Sequence, residues 1–424
     1  MEDKIKTIMG REMLSAFGLP NVEAEVITEN GIRGKALAPR GSSVGEYEAK
    51  QIFDGEERYL GYGVQKAVKN VNEVIAPKLI GTNVCNQRII DEILIDIDGT
   101  NNKSHLGANA TLPISLASAV AGAKVSQLPL YQYLGGIEVD GIPVPMATVI
   151  EGGKYSSTRT LSFEDYLIIP VEFDNFKVAL EAMVNIYLIL GEMLKDRAYV
   201  SNHGAYNLMG KLKTSDVFEI LLKAVNRAGY EDRVYLGLDV AGSELYDDNK
   251  NKYLIDEKYL SPNEVIKYFK KLQDNYPLIY IEDPFEENDF KSFAQITSKL
   301  TGIYIVGDDL FASNKDRVKK GLKYNSTNAV LLKVNQTGTL TETRETADYA
   351  LKKNQDIIVS IRSRDTIDTL VADFAVGVKA PLIKFGPPIR AERTLKYNRL
   401  VEIENELGKN SLYLGEEILN RIRF

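Results

Sequence analysis

The sequence predicts an α/β protein in which a (β/α)8 barrel follows an N-terminal α+β capping domain. Short apolar runs recur along the second half of the chain, helix-like segments separate them, and each run stops at a charged residue. The runs are rich in Val, Ile and Leu and do not alternate with polar residues, which is typical of parallel strands buried on both faces. Repeated strand–helix units of this size predict a barrel whose strand ends meet at one mouth.

The charged residues at these strand ends are regularly spaced. The runs are YLGLD, LIYIED, IYIVGDD, AVLLK, DIIVSIR and LIK, and they lead to Asp239, Glu282, Asp308, Lys333, Arg362 and Lys384. From the second run to the last, counted at Glu282, Asp308, Lys333, Ile361 and Lys384, the steps are 26, 25, 28 and 23 residues, enough for one strand, one helix and two loops. A solvated loop position would explain any one of these charges, but their common register favours a shared site.

The residue types indicate metal-assisted chemistry. Asp239, Glu282 and Asp308 at one mouth would repel one another and lose hydration, so they would bind protons unless a cation joined them. A ligand set made only of oxygen suits a hard cation, first of all Mg²⁺. For Lys333 and Lys384, we expect nearby positive charge to lower the pKa from about 10.4 toward neutrality, where a lysine can act as a base. A metal with a lysine base suits removal of a proton next to a carboxylate.

Composition limits the class of protein. The chain has 424 residues, 44% of them hydrophobic and 26% charged, which is typical of a globular protein of two or three domains. A net charge of −7 without a long basic run argues against nucleic acid or a membrane as partner. The single cysteine, Cys85, excludes an internal disulfide, and no apolar signal segment is evident, so we expect a cytoplasmic protein. The chain has only two histidines, which nearly excludes a His-ligated zinc site.

Residues 1–135 have a different pattern from residues 136–424, and we expect the domain boundary at the Gly135-Gly136 pair. Partly alternating apolar residues around Asn30-Gly31 predict a β-hairpin. Helical patterns follow at 61–80, 86–95 and 110–127. The intervening PRGSSVGEYE (39–48) is poor in apolar residues, so it is either a loop that closes over a site or an idle surface connection.

Longer motifs run through the whole chain in a fixed order. They are GSSVGEYEA (41–49), DGTNNKSHLGANA (98–110), IPVPMATVIEGGK (142–154), LDVAGSELY (238–246), IEDPF (281–285), VGDDL (306–310), LLKVNQTGTL (331–340), VSIRSRDTIDT (359–369) and IKFGPPIRAERTLKYNRLVEIENEL (383–407). In these motifs the chain resembles the enolases, the phosphopyruvate hydratases of glycolysis. The resemblance implies a homodimer that uses two Mg²⁺ ions and converts 2-phosphoglycerate, a small phosphorylated carboxylic acid, to phosphoenolpyruvate by loss of water.

The resemblance also implies a role for each matching residue. It makes Asp239, Glu282 and Asp308 the ligands of the tighter Mg²⁺, Lys333 the base, Lys384 the residue that steadies the substrate carboxylate, Arg362 and Ser363 the phosphate contacts, and Ser43 a loop residue that helps to bind the second Mg²⁺. A Lys or His base with Mg²⁺ is an established pattern of the enolase superfamily.

The same resemblance is interrupted at the site. His203, in SNHGA (201–205), stands where the enolases have the glutamate that helps the hydroxyl to leave. Asp165 replaces a catalytic glutamate and is one methylene shorter. Other replacements are Tyr155 and Ile361 for histidines, Arg364 for the glycine of the His-Arg-Ser-Gly motif, and SAFGLP (15–20) for Asp-Ser-Arg-Gly-Asn-Pro.

These departures leave two functions open, because the metal and lysine set is retained while the leaving-group side is changed. The first is a Mg²⁺-dependent enolase-type enzyme acting on 2-phosphoglycerate or a related phospho-acid. In it His203, an imidazole with an ordinary pKa of about 6.5, and Asp165 would be catalytic, and Tyr155 and Arg364 would contact the substrate. The second is a catalytically inactive paralogue that binds a ligand or a protein, or serves as a scaffold. On the structural alternative, His203 packs against Tyr206 and Arg364 points to solvent.

Overall fold

A computed structural model describes residues 2–41, 45–55, 57–154, 156 and 160–422 of the chain. In the described part of the N-terminal region, a three-stranded antiparallel sheet comprises β1 (Ile5–Leu14), β2 (Pro20–Thr28) and β3 (Arg33–Leu37). The helices after it are α1 (Gln65–Lys69), α2 (Ala76–Leu79), α3 (Gln87–Asp98), α4 (Ala108–Val125) and α5 (Leu130–Gly135), with a π-helical stretch, Asn70–Ile75, between α1 and α2. The predicted hairpin is confirmed: β2 pairs with β3, and Gly31 has a φ of +81° in the turn.

The strands of the second region are β4 (Gly141–Ile142), β5 (Val144–Glu151), β6 (Asp165–Pro170), β7 (Ala198–Val200), β8 (Tyr206–Leu208), β9 (Val234–Asp239), β10 (Tyr246–Asp247), β11 (Lys252–Ile255), β12 (Lys258–Leu260), β13 (Leu278–Glu282), β14 (Tyr304–Gly307), β15 (Ala329–Leu332), β16 (Asp356–Ser360), β17 (Leu382–Lys384) and β18 (Leu412–Tyr413). Among the described residues, eight of them form a ring in the order β5, β6, β9, β13, β14, β15, β16 and β17, which closes through β17 and β5. The predicted barrel and its capping domain are therefore confirmed.

The helices of the second region are α6 (Phe176–Leu194), α7 (Thr214–Arg227), α8 (Gly242–Leu245), α9 (Pro262–Asn275), α10 (Phe290–Lys299), α11 (Lys315–Tyr324), α12 (Leu340–Leu351), α13 (Leu370–Gly377), α14 (Ala391–Leu407) and α15 (Gly415–Ile422). Local sequence explains where several begin. Ser261 and Glu264 form a capping box at the start of α9, with Pro262 at its first position. The side chain of Thr339 accepts from the N–H of Glu342 at the start of α12. Among the described residues, no helix is both long and apolar enough to cross a membrane.

One strand departs from the regular repeat of parallel strands that the sequence predicts. β6 runs antiparallel to both of its neighbours, β5 and β9. The described residues of the connection between β5 and β6 contain no crossover helix, which a parallel pair would need. As a consequence, the first residue of β6, Asp165, lies at the same end of the barrel as the last residues of β5 and β9.

The N-terminal region docks on the barrel through α4, whose residues are almost all buried. Hydrogen bonds cross this contact: Thr111 Oγ1 donates to the carbonyl of Gly338 at 2.8 Å, and the N–H of Leu340 donates to Ser115 Oγ at 2.9 Å. These bonds satisfy polar groups that burial would otherwise leave without partners. The position of the domain boundary, between residues 135 and 136, stays a prediction.

Candidate active site

Four carboxylate side chains form a row across the barrel mouth. Strand register pairs Glu151 with Asp165, Asp165 with Asp239, and Asp239 with Glu282. Directly opposite residues on neighbouring strands have Cβ atoms about 5 Å apart, so each carboxylate is close to the next. We call these four residues the acidic row. Without positive charge nearby, such a row would raise the pKa of its members and bind protons.

The ammonium group of Lys384 compensates the acidic row. Its Nζ donates to Asp239 Oδ2 at 2.5 Å and to Glu282 Oε2 at 2.9 Å, and it lies 3.1 Å from Asp165 Oδ2. The side chain is only 9% exposed, so the protein, not water, balances these charges. Burial by itself would lower the pKa of Lys384, but the surrounding carboxylates outweigh burial and raise that pKa well above its ordinary value. Lys384 is therefore a fixed cation rather than a base.

Lys333 follows β15, on another side of the mouth. Its ammonium forms an ion pair with Asp308, and the other oxygen of that carboxylate accepts from Gln336 Nε2 at 3.1 Å. The backbone N–H of Lys333 donates to Ser313 Oγ at 2.9 Å, which fixes the start of the side chain. Burial would lower the pKa of Lys333, but the Asp308 carboxylate outweighs burial and raises it. The direct contact with Asp308 therefore sets the direction of this pKa, and the lowered lysine pKa expected beside a bound cation stays a prediction.

A group of oxygens beside the two lysines fits a cation. Glu282, Asp283 and Asp308 each offer one carboxylate oxygen, and these oxygens lie within 4.8 Å of one another. Glu282 Oε1 is buried and has no hydrogen-bond partner among the described residues. Burial, followed by the charge of Asp239, raises the pKa of Glu282 well above its ordinary value. An unpartnered buried carboxylate oxygen is costly unless a cation contacts it, so the donor set fits a hard divalent ion such as Mg²⁺.

The oxygen group differs by one member from the predicted ligand set. The structure brings Glu282 and Asp308 together with Asp283, whose carboxylate also accepts from the N–H groups of Asp308 at 3.1 Å and Asp309 at 2.7 Å. Asp239 ends β9, which lies on the other side of β13 from β14, and its carboxylate shares the ammonium of Lys384 with Glu282. The role of Asp239 as a ligand stays a prediction.

His203 lies at the Glu151 end of the acidic row. Its Nδ1 is 3.4 Å from Glu151 Oε2, and Glu151 Oε1 accepts from Asn207 Nδ2 at 2.9 Å. The ring of Phe17, in the turn between β1 and β2, packs against the imidazole with ring centroids 5.6 Å apart. Tyr206 instead stacks on a neighbouring tyrosine. Two departures from the enolase motifs, SAFGLP and SNHGA, are thus in contact with each other.

Arg362 lies beside the row, on the barrel side of the domain contact. Its Nη1 forms an ion pair with Glu48 Oε2 at 2.7 Å, and both side chains are buried. Glu48 belongs to the N-terminal region, and the N–H of the next residue, Ala49, donates to the carbonyl of Gln336 at 2.8 Å. The capping domain therefore supplies a carboxylate to the barrel mouth.

The other predicted substrate contacts lie in different places. Ser363, a predicted phosphate contact, lines the cavity described below, and so does Ile361, which replaces a histidine of the enolase motif. Arg364 is half-buried and not among the lining residues; its N–H donates to the carbonyl of Arg40 at 3.1 Å. The predicted contacts Ser43 and Tyr155 lie outside the described residues.

A cavity of about 150 Å³ joins these groups at the barrel mouth. Its volume lies below the roughly 300–1,000 Å³ of pockets that hold drug-sized ligands, so it suits a small molecule. The charged residues and histidine that line it are Glu48, Glu151, Glu164, Asp165, His203, Asp239, Asp283, Asp308, Asp309, Lys333, Arg362, Lys384 and Arg393. A ligand there meets lysines, arginine and carboxylates together, which suits a small anion accompanied by a cation.

Sequence reasoning assigned no role to five acidic residues of the cavity, one of which is Asp309, directly after Asp308. Glu151 ends the apolar run of β5, and Asp283 follows Glu282 directly, so the strand-end argument was able to find both. Glu164 directly precedes Asp165, so the same argument from neighbouring residues applies to it. Glu48 lies in a loop with no strand nearby in sequence, and only the docking of the two domains brings it to the site.

The fold and the site define a class: a capped α/β-barrel enzyme with an acidic site and two lysines at its mouth. Residues 140–422 match the family model "Enolase, C-terminal TIM barrel domain", and residues 5–134 match "Enolase, N-terminal domain". The chain is 43% identical to an enolase of Methanococcus vannielii over 418 residues, which cover 97% of each chain. It is 44% identical to an enolase of Methanothrix thermoacetophila over 98% of this chain and 99% of the relative, and 42% identical to one of Pyrococcus furiosus over 97% of each. The chain belongs to the enolase family.

Proposed function

We propose that this protein is an enolase-type hydro-lyase that removes the proton α to the carboxylate of 2-phosphoglycerate, or of a related phospho-acid, and expels the β-hydroxyl as water. One observation carries the proposal: the buried Lys384 and the half-buried Lys333 meet an acidic group in which Glu282 Oε1 has no partner among the described residues. This arrangement has a cationic binding position at Lys384, an amine at Lys333, and a place for a cation between them. The relatives named enolase support the same activity.

We infer that the cation is Mg²⁺, held by Glu282 and Asp308 together with Asp239 and Asp283. When bound, it supplies the positive charge that stabilises the extra electron pair of the ionised substrate. Asp308, in helping to hold such a cation, would bind the ammonium of Lys333 less strongly. Lys333 would then be able to accept a proton, because the raised pKa of its amine depends on the contact with Asp308.

The chain's own residues carry out the remaining steps. Lys384, fixed by the acidic row, binds the substrate carboxylate and stabilises the second charge that forms on it. Arg362 and Ser363 bind the phosphate, and Lys333 takes the α-proton. His203 and Asp165 act on the leaving-group side, where His203 gives a proton to the departing hydroxyl.

We also propose a homodimer in the cytoplasm. The dimer rests on the family resemblance, and the location rests on the composition of the chain, with one cysteine in 424 residues. Size-exclusion chromatography with light scattering tests the dimer, because the mass of one chain is 47.3 kDa.

The activity is tested with purified protein, 2-phosphoglycerate and Mg²⁺, by following the formation of phosphoenolpyruvate. Lys333→Met is expected to lower turnover by about 10²–10⁴-fold, the usual contribution of a positioned acid or base. Lys319→Met is the matched control, since Lys319 is a half-exposed lysine on α11. If the wild type turns over no faster than Lys333→Met, the proposal is rejected and the inactive paralogue is favoured. No contact among the described residues supports that alternative by itself.

A further inference from the structure

We propose that Glu151 is a positioning residue for His203, and that the Glu151–His203 pair is the proton donor to the leaving hydroxyl. We call these two residues the donor pair. The inference rests on the proposed function and goes beyond it. The sequence motifs give Glu151 no role, and they name no residue that orients the imidazole of His203.

The contacts of the donor pair orient it. Glu151 is the last residue of β5, so its backbone is fixed by the barrel, and Asn207 Nδ2 holds its Oε1 at 2.9 Å. The other oxygen, Oε2, is 3.4 Å from Nδ1 of His203. The Nδ1–H of the ring therefore faces a carboxylate, and this preference leaves Nε2 as the nitrogen available to a ligand in the cavity that both residues line.

The surroundings keep the donor pair in place. Phe17 covers the imidazole with its ring, and the N–H of His203 donates to Ser201 Oγ at 3.1 Å. Burial would raise the pKa of the Glu151 carboxyl, but His203, Asn207 and Ser201 outweigh burial and hold that pKa below its ordinary value. Glu151 thus stays ionised beside the imidazole.

Other charged groups also face the donor pair. The charge of Arg393, on α14, interacts with Glu151, and Asp165 faces Glu151 from the neighbouring strand. Arg390 Nη2 donates to the carbonyl of Ser201 at 2.9 Å. Of these two arginines and two acids, Glu151 is the one in contact with the ring, 3.4 Å from Nδ1.

The donor pair lies across the mouth from the proposed base. In the ring of eight barrel strands, Glu151 ends β5, and Lys333 follows β15, three strands away through β17 and β16. A substrate between them can lose its α-proton to one wall while its hydroxyl receives a proton from the other. This arrangement suits the elimination of water.

The proposed elimination moves one proton to Lys333 and takes one from His203. Nζ of Lys333 takes the α-proton, and the C–H electron pair becomes the second bond of the new C=C. The C–O bond to the β-hydroxyl breaks with its electron pair on oxygen. That oxygen takes the proton from Nε2 of His203 and leaves as water. The neutral imidazole then regains a proton from solvent, and Glu151 remains a carboxylate throughout.

Two reactions of the full-length protein with Mg²⁺ test the donor pair. One is exchange of the α-proton of 2-phosphoglycerate with deuterated solvent, which needs only the base, and the other is formation of phosphoenolpyruvate. His203→Gln is expected to lower product formation by about 10²–10⁴-fold while exchange stays within about threefold of the wild type. His105→Gln is the matched control, since His105 lies in the N-terminal region, where its Nδ1 is 3.1 Å from the carbonyl oxygen of Asp98, and both reactions should continue.

The pH profile tests the role of Glu151. In Glu151→Gln, the alkaline limb of kcat is expected to move to lower pH by about one unit or more, because the carboxylate that favours the protonated ring is gone. At acid pH the rate should return toward the wild-type value, which loss of structure alone would not produce. Glu151→Asp keeps a carboxylate and should keep the alkaline limb in place, and thermal midpoints by circular dichroism show that each variant folds.

The possible failures are distinct. Wild-type protein with neither exchange nor product formation rejects the proposed function, and the donor pair with it. Exchange in the wild type, with product formation unchanged in His203→Gln, rejects the donor pair alone. An alkaline limb that does not move in Glu151→Gln, or equal losses of both reactions in His203→Gln, overturns the assignment in favour of a structural role.

Discussion

Replacement of Lys384 by methionine tests the electrostatic centre of the site. Methionine has a similar length and no charge, so the change removes the ammonium that bonds Asp239 and Glu282 and lies 3.1 Å from Asp165. Removing one partner of a buried ion pair costs about 3–5 kcal/mol. For 424 residues the entropy of unfolding is about 0.9 kcal/mol/K, so we expect the thermal midpoint in EDTA to fall by roughly 3–6 °C.

The loss should depend on pH with a definite sign. Burial already raises the pKa of Asp165 and Glu282 in the folded protein, and without the ammonium both pKa values rise further. An acid whose folded pKa lies above its unfolded pKa destabilises the fold when it is ionised, and this cost disappears as pH falls below the unfolded pKa. The deficit of Lys384→Met should therefore be greatest near pH 8 and smaller near pH 5. The raised pKa of Lys384 itself keeps its contribution complete at both pH values.

Circular dichroism is the appropriate measurement, because the chain has no tryptophan. Mg²⁺ should recover part of the lost stability, since a cation that binds only the folded protein raises its midpoint. Lys319→Met, on the surface of α11, is the control and should match the wild type. A variant as stable as the wild type at pH 8 in EDTA, or a deficit that grows on acidification, would refute this account of the acidic row.

Three further predictions concern single contacts. Glu282→Gln should keep or raise the thermal midpoint in EDTA, because the raised pKa of Glu282 makes its ionised form unfavourable in the fold. The same variant should no longer be stabilised when Mg²⁺ is added in a titration. Stabilisation by Mg²⁺ that persists in Glu282→Gln would contradict the ligand role. Glu48→Gln should lower the midpoint by about 3 °C, because it removes the carboxylate that balances buried Arg362, and an unchanged midpoint would show that this pair is weak. Gly34→Ala should lower the free energy of unfolding in urea by about 1–3 kcal/mol, because the added methyl group would overlap the carbonyl oxygen of Ala117 on α4. In Gly31→Ala the added methyl group has no atom within 4 Å, so that variant reports only on the backbone conformation of the turn.

The contact between Phe17 and His203 changes how the sequence departures are understood. In the sequence, the changes in SAFGLP and SNHGA are separate replacements, and random loss of the enolase residues would account for each. In the structure they meet at one end of the acidic row, beside Glu151, while the oxygen group of Glu282, Asp283 and Asp308 lies at the other end. These two replacements therefore lie together at the end of the row that holds the proposed donor pair.

Most of the fold was predictable because its causes are local. A parallel strand buried on both faces must be apolar along its length, and each such run in the second half of the chain became a strand of the barrel. The hairpin followed from Asn30-Gly31, whose turn needs a positive φ. The antiparallel direction of β6 was not predictable in this way, because an apolar run has the same composition in either direction.

The charges at the strand ends were determined by the sequence alone, because barrel geometry brings such ends together whatever the connecting loops contain. Which charges touch was decided by tertiary structure. Strand register aligned Glu151 with Asp165, the reversed β6 placed Asp165 at the mouth, and domain docking brought Glu48 to Arg362. The pKa of Lys333 is raised rather than lowered for the same reason: its direction depends on the distance to Asp308, and distances between strands exist only once the barrel has closed.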